Sequence, residues 1–172
     1  MKFLLPLILI IILLIPTYSF ARTTPQDQID QEQQNYNQRI KKYSAIHQQQ
    51  LNQLSKDITA TNKLETNYLE DLVLKQGLIL DEYVKRNNIN ENGGEDGVHR
   101  NQDSVSTTRL AITRVHEAIA YQAAHIYILN LTSESNIKND SNNLITNLEF
   151  DLNKVRQNTI YSQNLIENLV KK

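Results

Sequence analysis

The chain has 172 residues, a formal net charge of −1 and no cysteine. That length suits one domain, and the near-neutral charge argues against a nucleic-acid binder, which needs a basic face. Without cysteine there is no disulfide staple, thiolate zinc site, cysteine nucleophile or lipoprotein anchor.

Residues 1–21 read as a secretory signal peptide. Lys2 is a minimal positive region, Leu4 to Ile15 form an apolar block interrupted by Pro6, and Ser19-Phe20-Ala21 supplies small residues before Arg22. An uncleaved anchor is the alternative, but the block falls short of the ~20 residues that span a bilayer. Loss of this leader removes only Lys2, leaving 17 basic and 19 acidic residues. Residues 22–172 then form a single helical domain.

A helix is expected over 25–87. Thr24 fits its N-cap, Pro25 its first turn and Asp27 the positive end of its dipole. Ile29, Tyr36, Ile40, Tyr43, His47, Leu51, Leu54, Ile58, Leu64, Tyr68, Leu72, Ile79 and Tyr83 recur at steps that suit one helical face. Unbroken, it is about 90 Å long at ~1.5 Å per residue, too long to stand alone without a cover for its stripe. Ten glutamines between 26 and 53 fit a polar amide face. Gly77 marks a kink or a close helix crossing.

A loop follows over 88–104, where Asn-Gly-Gly-Glu-Asp-Gly lacks the alternating acids of an EF-hand. A second helix spans 105–131, with a stripe of Val105, Ile112, Val115, Ile119, Ala123 and Ile126 widened by Tyr121, Tyr127, Ile128 and Leu129. A break over 132–143 precedes a third helix over 144–170, marked by Leu144, Leu148, Leu152, Val155, Leu165 and Leu169. The fold class is all-α: an elongated antiparallel helical hairpin or a three- to four-helix bundle with coiled-coil-like packing. A hairpin folded near Asp96 sets 144–169 against 23–48. A bend near 55–62 gives the compact bundle instead.

Site chemistry is sparse. His116-Glu117 begins a zinc-protease pattern, but Ala120 stands where the second histidine belongs, and His125 lies on the opposite side of the same helix. Glu65, Glu70, Asp71, Asp81 and Glu82 read as scattered surface acids, and Ser104, Ser106, Thr107 and Thr108 as capping residues at a helix start. Tyr36, Tyr43 and Tyr68 suit seam positions with the hydroxyl reaching water, whereas Tyr121 and Tyr127 could serve a partner surface. Asn130-Leu131-Thr132 and Asn139-Asp140-Ser141 match the glycosylation pattern.

These features predict no enzyme, no catalytic residue, no metal and no cofactor. They predict an exported protein, periplasmic or secreted, that binds protein partners or itself through helix faces. No nucleic acid is expected, and membrane contact only if the leader is uncleaved. In general plan the chain is similar to secreted helical components of bacterial envelope and secretion systems, such as minor pilus subunits of type IV secretion. That likeness implies a scaffold in the cell envelope, or a secreted effector or secretion-system component binding a host or envelope target.

Overall fold

A computed structural model describes residues 24–89 and 99–171. The expected signal peptide and the glycine cluster at 93–97 lie outside the described residues. Among the described residues there are four α-helices and no strand, so the fold is all-α. They are α1 (Pro25–Ile40), α2 (Ala45–Arg86), α3 (His99–Ala124) and α4 (Ile137–Val170), with a 3₁₀ turn at Glu134–Asn136. The chain divides after Gln31 into two units.

In the first unit, the start of α1 carries a reciprocal cap. Thr24 Oγ1 accepts from Asp27 N–H at 3.2 Å, and Asp27 Oδ2 accepts from Thr24 N–H at 2.7 Å. Both groups fall at the N-cap and N3 positions that a capping box requires. These bonds hold the Asp27 carboxyl below its ordinary range.

The second unit begins at Glu32. The expected continuous helix over 25–87 is interrupted at residues 41–44. Lys42 and Tyr43 N–H close α1 with tight bonds to the Arg39 and Ile40 carbonyls. Ser44 then starts α2 afresh as its N-cap. Residues 55–62 are continuous helix within α2, so no helix boundary falls there. The far end of α2 stops where expected. Asn88 takes the left-handed conformation at φ 48°, and Ile89 N–H reaches back to the Val84 carbonyl at 3.1 Å. With Ile89 and Val84 both packed on the core, this is a Schellman ending.

Cross-links between helices set the topology. Asp81 meets Arg109 and Glu70 meets His116, both at 2.9 Å, so α2 and α3 are antiparallel. Glu134 meets His47, Arg156 meets Glu65, and Gln76 meets Thr159 and Ser162, so α4 runs parallel to α2. The expected simple two-arm hairpin folded near Asp96 is therefore not formed, although Tyr36 and Ile40 of α1 do share an apolar cluster with Leu144, Leu148 and Leu152. Its cause is the stretch 125–136, which runs back along α2 before α4 begins and so returns the chain to the start of α2.

Two apolar clusters result. The first joins Leu69, Val73 and Leu80 of α2, Val105, Ile112, Val115 and Ile119 of α3, and Val155, Ile166 and Leu169 of α4. The second joins Tyr36 and Ile40 of α1, Leu51 and Ile58 of α2, Leu129 and Leu131 of the connector, and Leu144, Leu148 and Leu152 of α4. Around the first cluster the buried positions alternate by three and four residues on every helix, as in Leu69, Val73, Gln76 and Leu80. Gly77 marks no close helix crossing, because a Cβ there would meet nothing within 4 Å.

Three other boundaries differ from expectation. Helix α3 begins at His99, six residues earlier than 105, and ends at Ala124, seven earlier than 131. Helix α4 begins at Ile137 rather than 144, because Asp140 anchors its first turn. The Asp140 carboxylate is 6% exposed and accepts from Thr132 N–H at 2.7 Å, from Thr132 Oγ1, and from Asn136 Nδ2.

Candidate interaction surface

The connector 125–136 is pinned at three points. At its start, Gln122 on the last turn of α3 forms a buried pair with Asn62 of α2. Asn62 Nδ2 donates to the Gln122 carbonyl and Gln122 Nε2 donates to Asn62 Oδ1, both at 2.9 Å. Gln122 Nε2 also reaches the Tyr127 hydroxyl at 2.8 Å, and that hydroxyl donates to Asp151 at 3.0 Å. Burial, with Asp151 beside it, pushes the Tyr127 phenol up to about 12 despite the opposing bond from Gln122.

At its middle, the Arg39 guanidinium donates to the Leu131 carbonyl. At its end, Glu134 Oε1 accepts from Ser44 N–H at 2.7 Å and lies 2.7 Å from His47 Nδ1. Ser44 is an N-cap and His47 is the N3 residue of the same helix. In an ordinary capping box a glutamate at N3 would take the N-cap N–H. Here that acid comes from 90 residues away in sequence. The Ser44 backbone bond, then His47, hold the Glu134 carboxyl below its ordinary value of 4.5.

A pH response follows from that direction. A carboxyl depressed in the folded state contributes stability above its ordinary pKa and loses it as pH falls through the folded value. Acidification below pH 4.5 is therefore expected to free the Ser44 amide, raising its hydrogen-exchange protection loss relative to amides in mid-α2. Glu134→Gln should abolish that pH-dependent step. An unchanged step in the variant would assign it to another group.

Three of the five residues read as scattered acids tie helices together. Glu65 binds Arg156 at 2.7 Å, Glu70 binds His116 and Asp81 binds Arg109. Glu82 pairs with Arg86 within α2. His125 lies against the ring of Tyr127, with centroids 4.5 Å apart, well away from the His116–Glu70 pair in sequence and role. Among the described residues no group of three His, Asp or Glu could hold a metal ion. Thr108 is not a cap: it is buried inside α3 and donates to the Ser104 carbonyl at 2.8 Å. Of the two glycosylation patterns, Asn130 is exposed on the connector, and Asn139 lies in α4 with its side chain on Asn136.

The tyrosines also sort differently. Tyr36 is buried, and its hydroxyl is buried too, with no hydrogen-bond partner among the described residues. Burial accordingly pushes its phenol up. Tyr68 does not fill a seam and is 60% exposed, and Tyr121 is 74% exposed. Tyr68 stands with Leu64 (70%) and Ile79 (48%) on one outer strip of α2. Phe150 (60%), Ile160 (50%) and Tyr161 (58%) are exposed on α4. Large apolar side chains at helical spacing on an outer face are the feature of this surface that packing within the chain does not use.

No protein-family model, characterised protein or solved structure matches the chain. Among the described residues no helix is long and apolar enough to cross a membrane.

Proposed function

We propose that this is an exported, non-catalytic protein of the cell envelope that binds protein partners through its helix faces. The packing that suits this reading is coiled-coil-like, with heptad-type seams joining α2, α3 and α4 in a three-helix bundle. The observation that carries it is the outer strip of Leu64, Tyr68 and Ile79 on α2, left open while buried Asn62 and Gln122, and Gln76 and Ser162, satisfy one another inside the bundle. The export half of the reading rests on the apolar leader and the small residues at 19 and 21.

The test is photo-crosslinking in the native compartment from probes at positions 64, 68 and 79, followed by mass spectrometry. Crosslinks to a defined set of envelope proteins support the scaffold reading. Crosslinks to proteins of a target cell favour the alternative, a secreted effector or a minor-pilus-like component. A chain found in the cytoplasm with its leader intact, making no crosslinks from these positions, would sink both.

A further inference from the structure

Between residues 64 and 80, α2 is apolar on both faces. Its inner face gives Leu69, Val73 and Leu80 to the first cluster. Its outer face carries Leu64, Tyr68, Leu74, Leu78 and Ile79, each about half exposed or more. A helix apolar all round is one that is covered on every side. The outer positions also keep a register. Leu64, Tyr68, Asp71, Lys75, Leu78 and Glu82 are all exposed and step by four and three residues in turn. That is the spacing of a coiled-coil seam, here facing away from the bundle. Two opposite charges stand at its middle. Asp71 and Lys75 have no ion pair or hydrogen bond among the described residues, whereas Glu82 at the end of the strip is held by Arg86.

We infer that this strip is a dimer interface, covered by the same strip of a second copy of this chain running antiparallel. The inference rests on the helix-face reading above and names what the face takes. The order of charges selects the occupant. Read backwards, the strip offers a cation where the first copy has an acid, and an acid where it has a cation. A two-fold axis level with Val73 sets Asp71 opposite Lys75 of the second copy and Lys75 opposite Asp71 of the second copy, the self-matching contact of a two-fold dimer. The same axis sets Tyr68 opposite Leu78 of the second copy on either side of the charged centre, an aromatic ring against a branched apolar side chain. At the rim Leu64 meets Glu82, whose charge stays with Arg86. A parallel pairing would instead set acid on acid and cation on cation at the centre, which costs affinity. The seam from Leu64 to Glu82 is about 27 Å long at ~1.5 Å per residue.

Sedimentation equilibrium of the full chain as it accumulates in the cell tests the dimer. The expected result is a monomer–dimer equilibrium. Asp71→Lys and Lys75→Asp each set two like-charge pairs at the centre of the seam. Each should weaken the dimer by about tenfold or more. Helicity by circular dichroism should not change, because both positions are exposed. Combining the two substitutions in one chain reverses the charge order and should restore the dimer. Mixing the two single variants should restore it as well, since each chain then meets opposite charges at both positions. A chain monomeric at every concentration, a dimer indifferent to the single substitutions, or a mixture no more dimeric than its two parts would each overturn the inference. A monomeric chain whose positions 64 and 68 crosslink only to other proteins would overturn it too, while leaving the helix-face reading standing.

Discussion

Replacing Leu80 with alanine is expected to lower the unfolding free energy by about 2–5 kcal/mol. Leu80 is 0% exposed and sits in the cluster where all three long helices meet, which also holds Val73 of its own helix and Val105 of α3. Truncation removes apolar contact and leaves a space that three helices tied by polar and ionic cross-links cannot close freely. Leu64→Ala is the matched control. Leu64 is 70% exposed on the same helix, so its loss should stay within about 0.5 kcal/mol. Urea unfolding followed by circular dichroism separates the two. Equal effects would mean that the core lies on the stripe containing Leu64, not on the one containing Leu80.

That contrast also marks how far the sequence could be read. The apolar stripe along the first long stretch is correct in its first half, where Tyr36, Ile40, Leu51 and Ile58 are all buried. It then drifts onto Leu64, Tyr68 and Ile79, which face outward. The true seam continues through Asn62, Thr66, Leu69, Val73, Gln76 and Leu80. Half of those six are polar, so a search for apolar recurrence slides to the wrong face. Nothing local announces that Asn62 and Gln76 are buried. Their partners, Gln122, Thr159 and Ser162, are 60 to 86 residues away.

The connector failed for a different reason. Ile126, Tyr127, Ile128 and Leu129 widen a helical stripe if the helix is assumed to continue, but α3 ends at Ala124, and Tyr127, Ile128, Leu129 and Leu131 pack on the second cluster from a non-helical connector. Apolar residues run on past the end of the helix, so periodicity alone carries the stripe beyond Ala124. The restart at Ser44 left a weaker trace, one serine three residues before His47, because the acid completing its cap is Glu134. The glycine-poor stretch, the cap at Thr24 and the stop near Asn87 needed only local chemistry, and these were readable.

Gln122 offers the sharpest test of the buried polar seam. It is 4% exposed and serves two partners at once, Asn62 Oδ1 and the Tyr127 hydroxyl. Gln122→Leu keeps most of the volume but strands Asn62 Oδ1, a buried acceptor, at a cost of about 1–3 kcal/mol. Asn62→Leu should cost towards the lower end of that range, because the Gln122 amide keeps the Tyr127 hydroxyl and the Gln122 carbonyl keeps the His125 N–H. The double variant replaces both polar partners with apolar ones, so it should lose clearly less than the two single losses combined. Additive losses would show that the pair is not bonded as described. Tyr127 supplies a second readout in the same variant. Its bond from Gln122 opposes the upward push of burial, so Gln122→Leu should move the phenol beyond its present value of about 12. Because that phenol is raised, its contribution to stability is complete below the ordinary tyrosine value and is lost as pH climbs toward the folded one. Near-ultraviolet titration of phenolate absorbance should therefore show one tyrosine ionising late and only with unfolding, and later still without Gln122. A phenol that titrates normally in the folded chain would place Tyr127 in water and detach the connector from the end of α3.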